Sequence, residues 1–293
     1  MRVSDSMMHA LVTRGLATRQ TDYYEAQQAA STGLKVKKPS DDPVAASLAR
    51  TAGSRGARAE TLEKMTAAAI DRIQAVDGTL NGVSDVVSRV RDIAVQGAND
   101  HLSSTDRLDM AKEVASLRVQ LLSLANTEID GEHVFSGLAT DREAFDATGA
   151  FTGDATLREI EVGPGVRLST QLPGMDIFGA GAGGVNAFTT LDAVEAALAA
   201  DDPIALAGLL DDVGAVVDQV AGGHAIAGHL QQALSQAQSV AGRAVDTATQ
   251  QHASLIEADP AELFSDLMRA EQALREAVAI ASRLPGPSML GGG

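Results

Sequence analysis

At 293 residues the chain has room for one large domain or two to three small ones. Apolar residues make up 45% but aromatics only 3%, with no Trp, so Ala, Leu and Val must do the burying, which suits thin helix–helix seams better than a broad core. A net charge of −16 argues against a nucleic-acid partner, zero Cys excludes disulfides and thiolate sites, and no apolar run reaches the length of a membrane span.

The opening, Met1-Arg2-Val3-Ser4-Asp5-Ser6, carries no apolar signal region, so ordinary secretory export is not expected. Next comes a loose heptad stripe of Met8, Val12, Leu16, Arg19, Tyr23, Ala26 and Ala30, which predicts an N-terminal helix whose seam needs a helical partner. Lys35, Lys37 and Lys38 follow beside Asp41 and Asp42, a small basic cluster that reads as a solvated turn or a subunit contact rather than an anion site. Three Asp-Pro pairs, at 42–43, 202–203 and 259–260, read as helix starts. Asp caps the first free amides, and Pro at the first helical position loses no hydrogen bond.

After Pro43 the longest pattern begins. Leu48, Ala52, Ala59, Leu62, Ala69, Ile73, Val76, Leu80, Val83, Val87, Val90 and Ala94 keep one heptad register, interrupted by Arg55 and Thr66. A helix of roughly 50 residues is about 75 Å long, against a radius of gyration of about 19 Å for a compact domain of this size, so a rod is expected. Ser103 with Asp106 reads as a capping box for a return helix seamed by Met110, Val114, Leu117, Leu121 and Leu124.

From about Asp130 to Phe188 helical period gives way to Gly, Thr and short alternating runs, with 158–162 and 166–170 predicted as a hairpin around Gly163-Pro164-Gly165. Thr189 with Asp192 predicts the next helix start. A further long helix runs from Leu206 through Val213, Val220, Ala227, Leu234, Ala237, Ala244 and Ala248 to Leu255, with Gly222-Gly223 the weakest point of its helical pattern. After Asp259, with Glu262 favouring the helix dipole, the cleanest stripe of the chain appears: Leu263, Leu267, Ala270, Leu274, Ala277, Ala281 and Leu284. A strong seam at a chain end, where helices ordinarily fray, points to a partner helix in this chain or in a neighbouring subunit.

The expected fold is therefore mainly α: an elongated antiparallel helical bundle or coiled-coil rod built from both chain ends, with a small β-rich inserted domain. Its expected divisions are an N-terminal helix and junction segment (1–42), rod helices (43–129), the β-rich insert (130–188), a returning rod helix (189–258) and a C-terminal coiled-coil helix (259–293). Met8, Leu11, Leu16, Leu263, Leu267 and Leu274 are the candidate assembly residues.

Competing chemical readings are weaker. Gly179, Gly181 and Gly184 satisfy G-x-G-x-x-G, with Asp201 and Asp202 downstream, but a dinucleotide site needs that loop to open directly into a helix. Here Val185 to Phe188 intervene, and a Gly-rich link is the better reading. His224 and His229 lie on different faces of a helix without a completing carboxylate, and the other His residues are scattered. No cofactor, metal or catalytic residue is expected.

Several stretches resemble the flagellar hook-associated protein 3 family of the bacterial flagellin superfamily: MRVSDSMM at the start, STGLKVKKPSDDPVAASLA from Ser31 to Ala49, DGEHVFSGLATDREAF from Asp130 to Phe145 followed by TGDATLREIEVGPG, and ADPAELFSDLMRAEQALREAVAIASRL at the end. The ending PGPSMLGGG departs from the Leu-rich close of that family. The resemblance implies a structural subunit at the hook–filament junction, self-associating as a ring between the hook-side junction protein (hook-associated protein 1) and flagellin. It also implies secretion to the flagellum by type III export with an export chaperone, and neither nucleic-acid binding nor membrane insertion. A flagellin-type filament subunit is the nearest alternative, and a dinucleotide-binding enzyme a remote one.

Overall fold

A computed structural model describes residues 5–163 and 165–283. The described elements, in chain order, are α1 (Asp5–Thr32), α2 (Pro43–Gly97), α3 (Ser104–Ala125), β1 (Glu128–Ile129), β2 (Glu132–His133), β3 (Glu159–Gly163), β4 (Val166–Ser169), α4 (Gly174–Phe178), a 3₁₀ turn at Gly181–Gly183, α5 (Ala187–Ala199), α6 (Pro203–Ile256) and α7 (Pro260–Ala281). The fold is mainly α with a small β-rich insert, as expected. Met1 to Ser4, Pro164 of the hairpin turn, Leu284 of the last stripe and the tail from Pro285 to Gly293 lie outside the described residues.

All three Asp-Pro pairs start helices. Asp42 accepts from the amides of Val44 (3.0 Å) and Ala45 (2.9 Å), Asp202 from Ile204 (3.1 Å) and Ala205 (2.9 Å), and Asp259 from Ala261 (2.8 Å). Asp41 does other work: its Oδ2 accepts from the amides of Lys37 and Lys38, each at 3.1 Å. Desolvation opposes ionisation of Asp41, but those amides and the two lysine charges outweigh it and hold the carboxyl below its ordinary range. Asp42→Ala should therefore cost about 1 kcal/mol in a thermal melt. Asp41→Ala should leave the α2 start unaffected, and a double variant no worse than the sum of the singles checks that Asp41 is not a second cap.

The described residues form two compact units, one of residues up to Arg58 with those from Ala244, the other of Ala59–Arg243. In the second unit α2 and α6 run antiparallel: Gly97 packs against Leu206, Asp77 meets His224 at 2.8 Å, and Gly242 lies beside Glu63. The heptad positions Ala69, Ile73, Val76, Leu80, Val83, Val87, Val90 and Ala94 are all buried, as are Leu206, Val213, Val220, Ala227 and Leu234 opposite. Thr66, an interruption in the stripe, is buried because its hydroxyl donates to the Leu62 (2.7 Å) and Glu63 (2.9 Å) carbonyls of its own helix. Gly222-Gly223, the weakest point of the helical pattern, does not interrupt α6. A side chain at Gly223 would stand 3.1 Å from Ile177 Cδ1 and 3.4 Å from Leu80 Cδ1, so glycine is the residue that lets the helix pass this close approach.

Ser103 caps α3 as read, accepting from the Asp106 amide (3.2 Å) while its hydroxyl donates to the Asp106 carboxylate (2.7 Å). α5 begins at Ala187, earlier than the Thr189 start expected, because the Asn186 carboxamide accepts from the amides of Phe188 (2.9 Å) and Thr189 (3.1 Å) and so caps the helix first. α3 packs against α5.

The insert contains two short hairpins. β1 and β2 turn through Asp130 and Gly131, both at positive φ, and β3 pairs antiparallel with β4 from Glu159–Ser169 to Gly163–Val166. Its interior is aromatic: Phe145 stands 5.2–5.6 Å, ring to ring, from Phe151, Phe178 and Phe188, and Phe178 packs edge-on to Phe135. These rings belong to one continuous core with Ile73, Leu80, Leu121, Leu191 and Val213 of the helices. Glu132 binds both Arg158 (3.0 Å) and Arg72 of α2 (2.7 Å), tying both hairpins to the helix. Hydrogen bonding to Arg158, opposed by desolvation and joined by Arg72, holds the Glu132 carboxyl below its ordinary value of 4.5. A depressed carboxylate stabilises the fold above its unfolded pKa and loses that contribution as pH falls through the folded one. Urea melts between about pH 6 and pH 3 should show a shallower loss of stability in Glu132→Gln than in the wild type, from a lower starting point.

In the first unit the opening turns of α2 meet the last turns of α6 through small residues. Gly56 stands opposite Ala248, where a Cβ would come within 3.2 Å, and Gly53 opposite His252. Leu48, expected in the seam, is 51% exposed, and Ala49 is buried in its place. The close approach lies further along, at Gly53 and Gly56, whereas Leu48 lines an open groove with Gln251, Ser254 and Leu255. Ala244 is likewise exposed, with Ala241 and Ala248 buried instead.

Candidate assembly interface

α1 and α7 pack against one another. They run antiparallel, because the end of α1 meets the start of α7 at an antiparallel bridge between Leu34 and Glu257. The partner that the terminal stripes call for is thus each other. On α7, Leu263 is buried and Leu267, Ala270, Leu274, Ala277 and Ala281 are half-buried, while their neighbours on the outer face are exposed. On α1, Val12, Leu16, Tyr23, Ala26 and Ala30 are half-buried, whereas Met8 and Arg19 are exposed.

The six candidate assembly residues therefore separate into two groups. Leu16, Leu263, Leu267 and Leu274 face the intrachain seam; Met8 and Leu11 (71% exposed) look outward. The outer surface of α7 carries residues that the stripe did not single out, Phe264 (64% exposed) and Met268 (63%), one helical turn apart. Val44 and Leu48 form a similar exposed pair on the first turns of α2. The signal was present in the sequence as a second i, i+4 apolar pair beside each seam. Among the described residues of this unit nothing covers these pairs.

The junction segment between α1 and α2 accounts for the basic cluster. Lys35 Nζ donates to the Ser254 carbonyl (2.9 Å), Lys37 Nζ to the Glu25 carbonyl (2.8 Å), and Lys38 lies 3.9 Å from Asp41. Two of the three lysines thus make intrachain cross-links from an exposed turn.

The G-x-G-x-x-G stretch does not cradle a ligand. It forms the 3₁₀ turn after α4, and the space over Gly181 and Gly184 is occupied by the Asp176 carboxylate and the Gln219 carboxamide. Gln219 accepts from the Val185 amide (2.6 Å), a donor that a phosphate would need, and donates to the Val185 carbonyl (3.0 Å). His224 is committed to Asp77, and His229 is exposed. Among the described residues no three His, Asp or Glu side chains stand together as a metal site, and no helix is long and apolar enough to cross a membrane.

Comparison with known proteins places this architecture. Residues 3–140 match the family model for the bacterial flagellin N-terminal helical region. The chain is 31% identical over 155 residues to flagellar hook-associated protein 3 of Salmonella typhimurium, covering 52% of this chain and 49% of that one. A flagellin of Clostridium tyrobutyricum is 30% identical over 130 residues, covering 43% of this chain and 34% of that one. The chain thus spans about half the length, or less, of the curated relatives it matches. Among solved structures, one described as a flagellar hook-associated protein from Vibrio parahaemolyticus superposes with a TM-score of 0.68 at 22% identity, over 74% of this chain and 100% of that one, a likeness of fold.

Proposed function

We propose that this chain, whose residues 3–140 match the model for the bacterial flagellin N-terminal helical region, is a structural, non-enzymatic subunit of the bacterial flagellum working as a hook-associated protein 3. The observation that carries the reading is the 31% identity to the Salmonella protein of that name, supported by outward apolar pairs on both terminal helices. In this reading the subunits form a ring at the hook–filament junction, contacting hook-associated protein 1 on one side and flagellin on the other. The chain reaches that place by type III export, with a flagellar export chaperone engaging the C-terminal helix. Segments 1–42 and 259–293 serve assembly, 43–129 and 189–258 serve as the rod, and 130–188 is carried by it. Deleting the gene in its own bacterium and viewing the cells by electron microscopy tests this: hooks without filaments, and flagellin shed to the medium, are expected. A normal hook-to-filament joint would overturn it.

The 30% identity to a flagellin favours a second reading, a filament subunit. The same deletion separates the two, since loss of a filament subunit leaves the released flagellin pool depleted rather than enriched.

Phe264→Asp with Met268→Asp should abolish filament attachment while leaving the soluble chain's melting within about 0.5 kcal/mol of wild type, because both side chains are already in water. Leu267→Asp with Leu274→Asp should instead weaken the α1–α7 pair itself, since these residues face α1. Secretion of each variant is measured alongside, because a chain held at export would mimic an assembly defect.

A further inference from the structure

We propose that the pairing register of α1 and α7 is set by a polar clasp at the base of the pair rather than by its apolar seam, with Lys35 as the register-setting residue and Lys37 holding the connector to α1. Carrying the Leu34–Glu257 bridge along two antiparallel helices of equal rise brings Leu274 within about one residue of the level of Leu16, Leu267 within about one of Tyr23 and Ala277 within about two of Val12. That seam is nearly degenerate. The α7 side reads Leu263, Leu267, Ala270, Leu274, Ala277 and Ala281, with no polar residue to forbid a slip of one heptad. Slipping by seven brings Leu274 opposite Tyr23 and Ala277 opposite Arg19, which already faces an alanine-containing stretch of α7 in the observed register. The one polar seam residue of α1, Arg19, bonds to Asp22 of its own helix at 3.2 Å and is spent there.

The base of the pair has no such tolerance. The Lys35 and Val36 amides both donate to the Ile256 carbonyl (2.8 and 3.3 Å), and the Ala258 amide donates to the Gly33 carbonyl (3.0 Å). Lys35 Nζ reaches across to the Ser254 carbonyl, and Lys37 Nζ folds the connector back onto the Glu25 carbonyl of α1. Gly33, at φ +74°, makes the turn that lets the connector lie alongside 256–258. A heptad slip is a displacement of about 10 Å and breaks the bonds that join residues 33–36 to 254–258. The clasp thereby fixes the relative heights of Met8 and Leu11 on one helix and Phe264 and Met268 on the other, whatever the chain assembles with.

Because the chain has no Cys, introduced pairs report register directly in the full chain. Leu16→Cys with Leu274→Cys reads the clasped register, and Tyr23→Cys with Leu274→Cys reads the slipped one. Under mild oxidation the first pair should close and the second should lag at least about tenfold. Adding Lys35→Met and Lys37→Met, which keeps the aliphatic stems, should narrow that ratio about tenfold through the loss of two charge-assisted hydrogen bonds. Gly33→Ala, which strains the turn without touching either lysine, should narrow it in the same direction, with helical content by circular dichroism retained in every variant. An unchanged ratio in both clasp variants would mean that the seam sets the register. Equal closure of the two pairs in the wild-type background, or closure of neither, would equally overturn the proposal.

Discussion

Phe145→Ala should lower the unfolding free energy of the Ala59–Arg243 unit by about 4 kcal/mol, the upper part of the range for emptying a buried aromatic site. The ring is fully buried and stands 5.2–5.6 Å from three other phenylalanine rings. Little around it can collapse into the vacated space, because its backbone is fixed at both ends of the peptide. The Phe145 amide donates to Asn126 Oδ1 (2.9 Å), and Asn126 Nδ2 donates to the Phe145 carbonyl (2.8 Å), from the end of α3. The partly exposed neighbour Phe151 should cost clearly less when truncated, and urea melts of the two variants make the comparison. The same geometry sets the expected outcome of replacing residues 130–188 by a short Gly/Ser linker. Because the phenylalanines share one core with Ile73, Leu80 and Val213, the linker variant should lose cooperative melting of this unit. Retention of a sharp transition would show that the helices hold together without the aromatic cluster.

Arg107→Met should cost about 3 kcal/mol, mainly from carbonyls left unpaired inside the protein. The side chain is only 4% exposed, and its guanidinium serves one turn of the chain almost completely. Nε donates to the Gly97 carbonyl (2.9 Å), Nη1 to Leu102 (3.2 Å) and Nη2 to Asn99 (2.7 Å), closing the end of α2 and the link to α3. A further contact to the Asp201 carboxylate joins this turn to the one between α5 and α6. Arg107→Lys should recover little, since an ammonium cannot present donors in three directions from one plane. Asp201→Asn should cost under about 1 kcal/mol, its carboxylate being nearly half exposed. If Arg107→Lys melts like wild type, charge rather than the planar fork is what this turn requires.

Such a residue shows where sequence reading stops. Arg107 in the sequence is one more cation on a helix, and nothing in its neighbours reports that three carbonyls of another segment will surround it. Gln219 and Lys35 are alike in this: each is an ordinary surface residue type until the fold brings a distant backbone to it. The second apolar pair on α7, Phe264 and Met268, was in plain view but outweighed by the stronger stripe beside it. Asn186 was overlooked as a cap because Thr189 with Asp192 matched a more familiar spacing.

The helices, their capped starts, the return at Ser103, the β3–β4 hairpin and the face that each long helix buries were determined by the sequence itself. These depend on residues two to seven apart, where hydrogen-bond geometry and helical period act without reference to the rest of the chain. Tertiary structure alone decided which stripe meets which. It paired α1 with α7, turned Leu48 out and Ala49 in, and let α6 run unbroken past Gly223. It also drew the aromatic insert into the helical core. Those outcomes follow from interhelical distance and from the positions of remote side chains and carbonyls, which a heptad pattern leaves free because many partners satisfy it equally well.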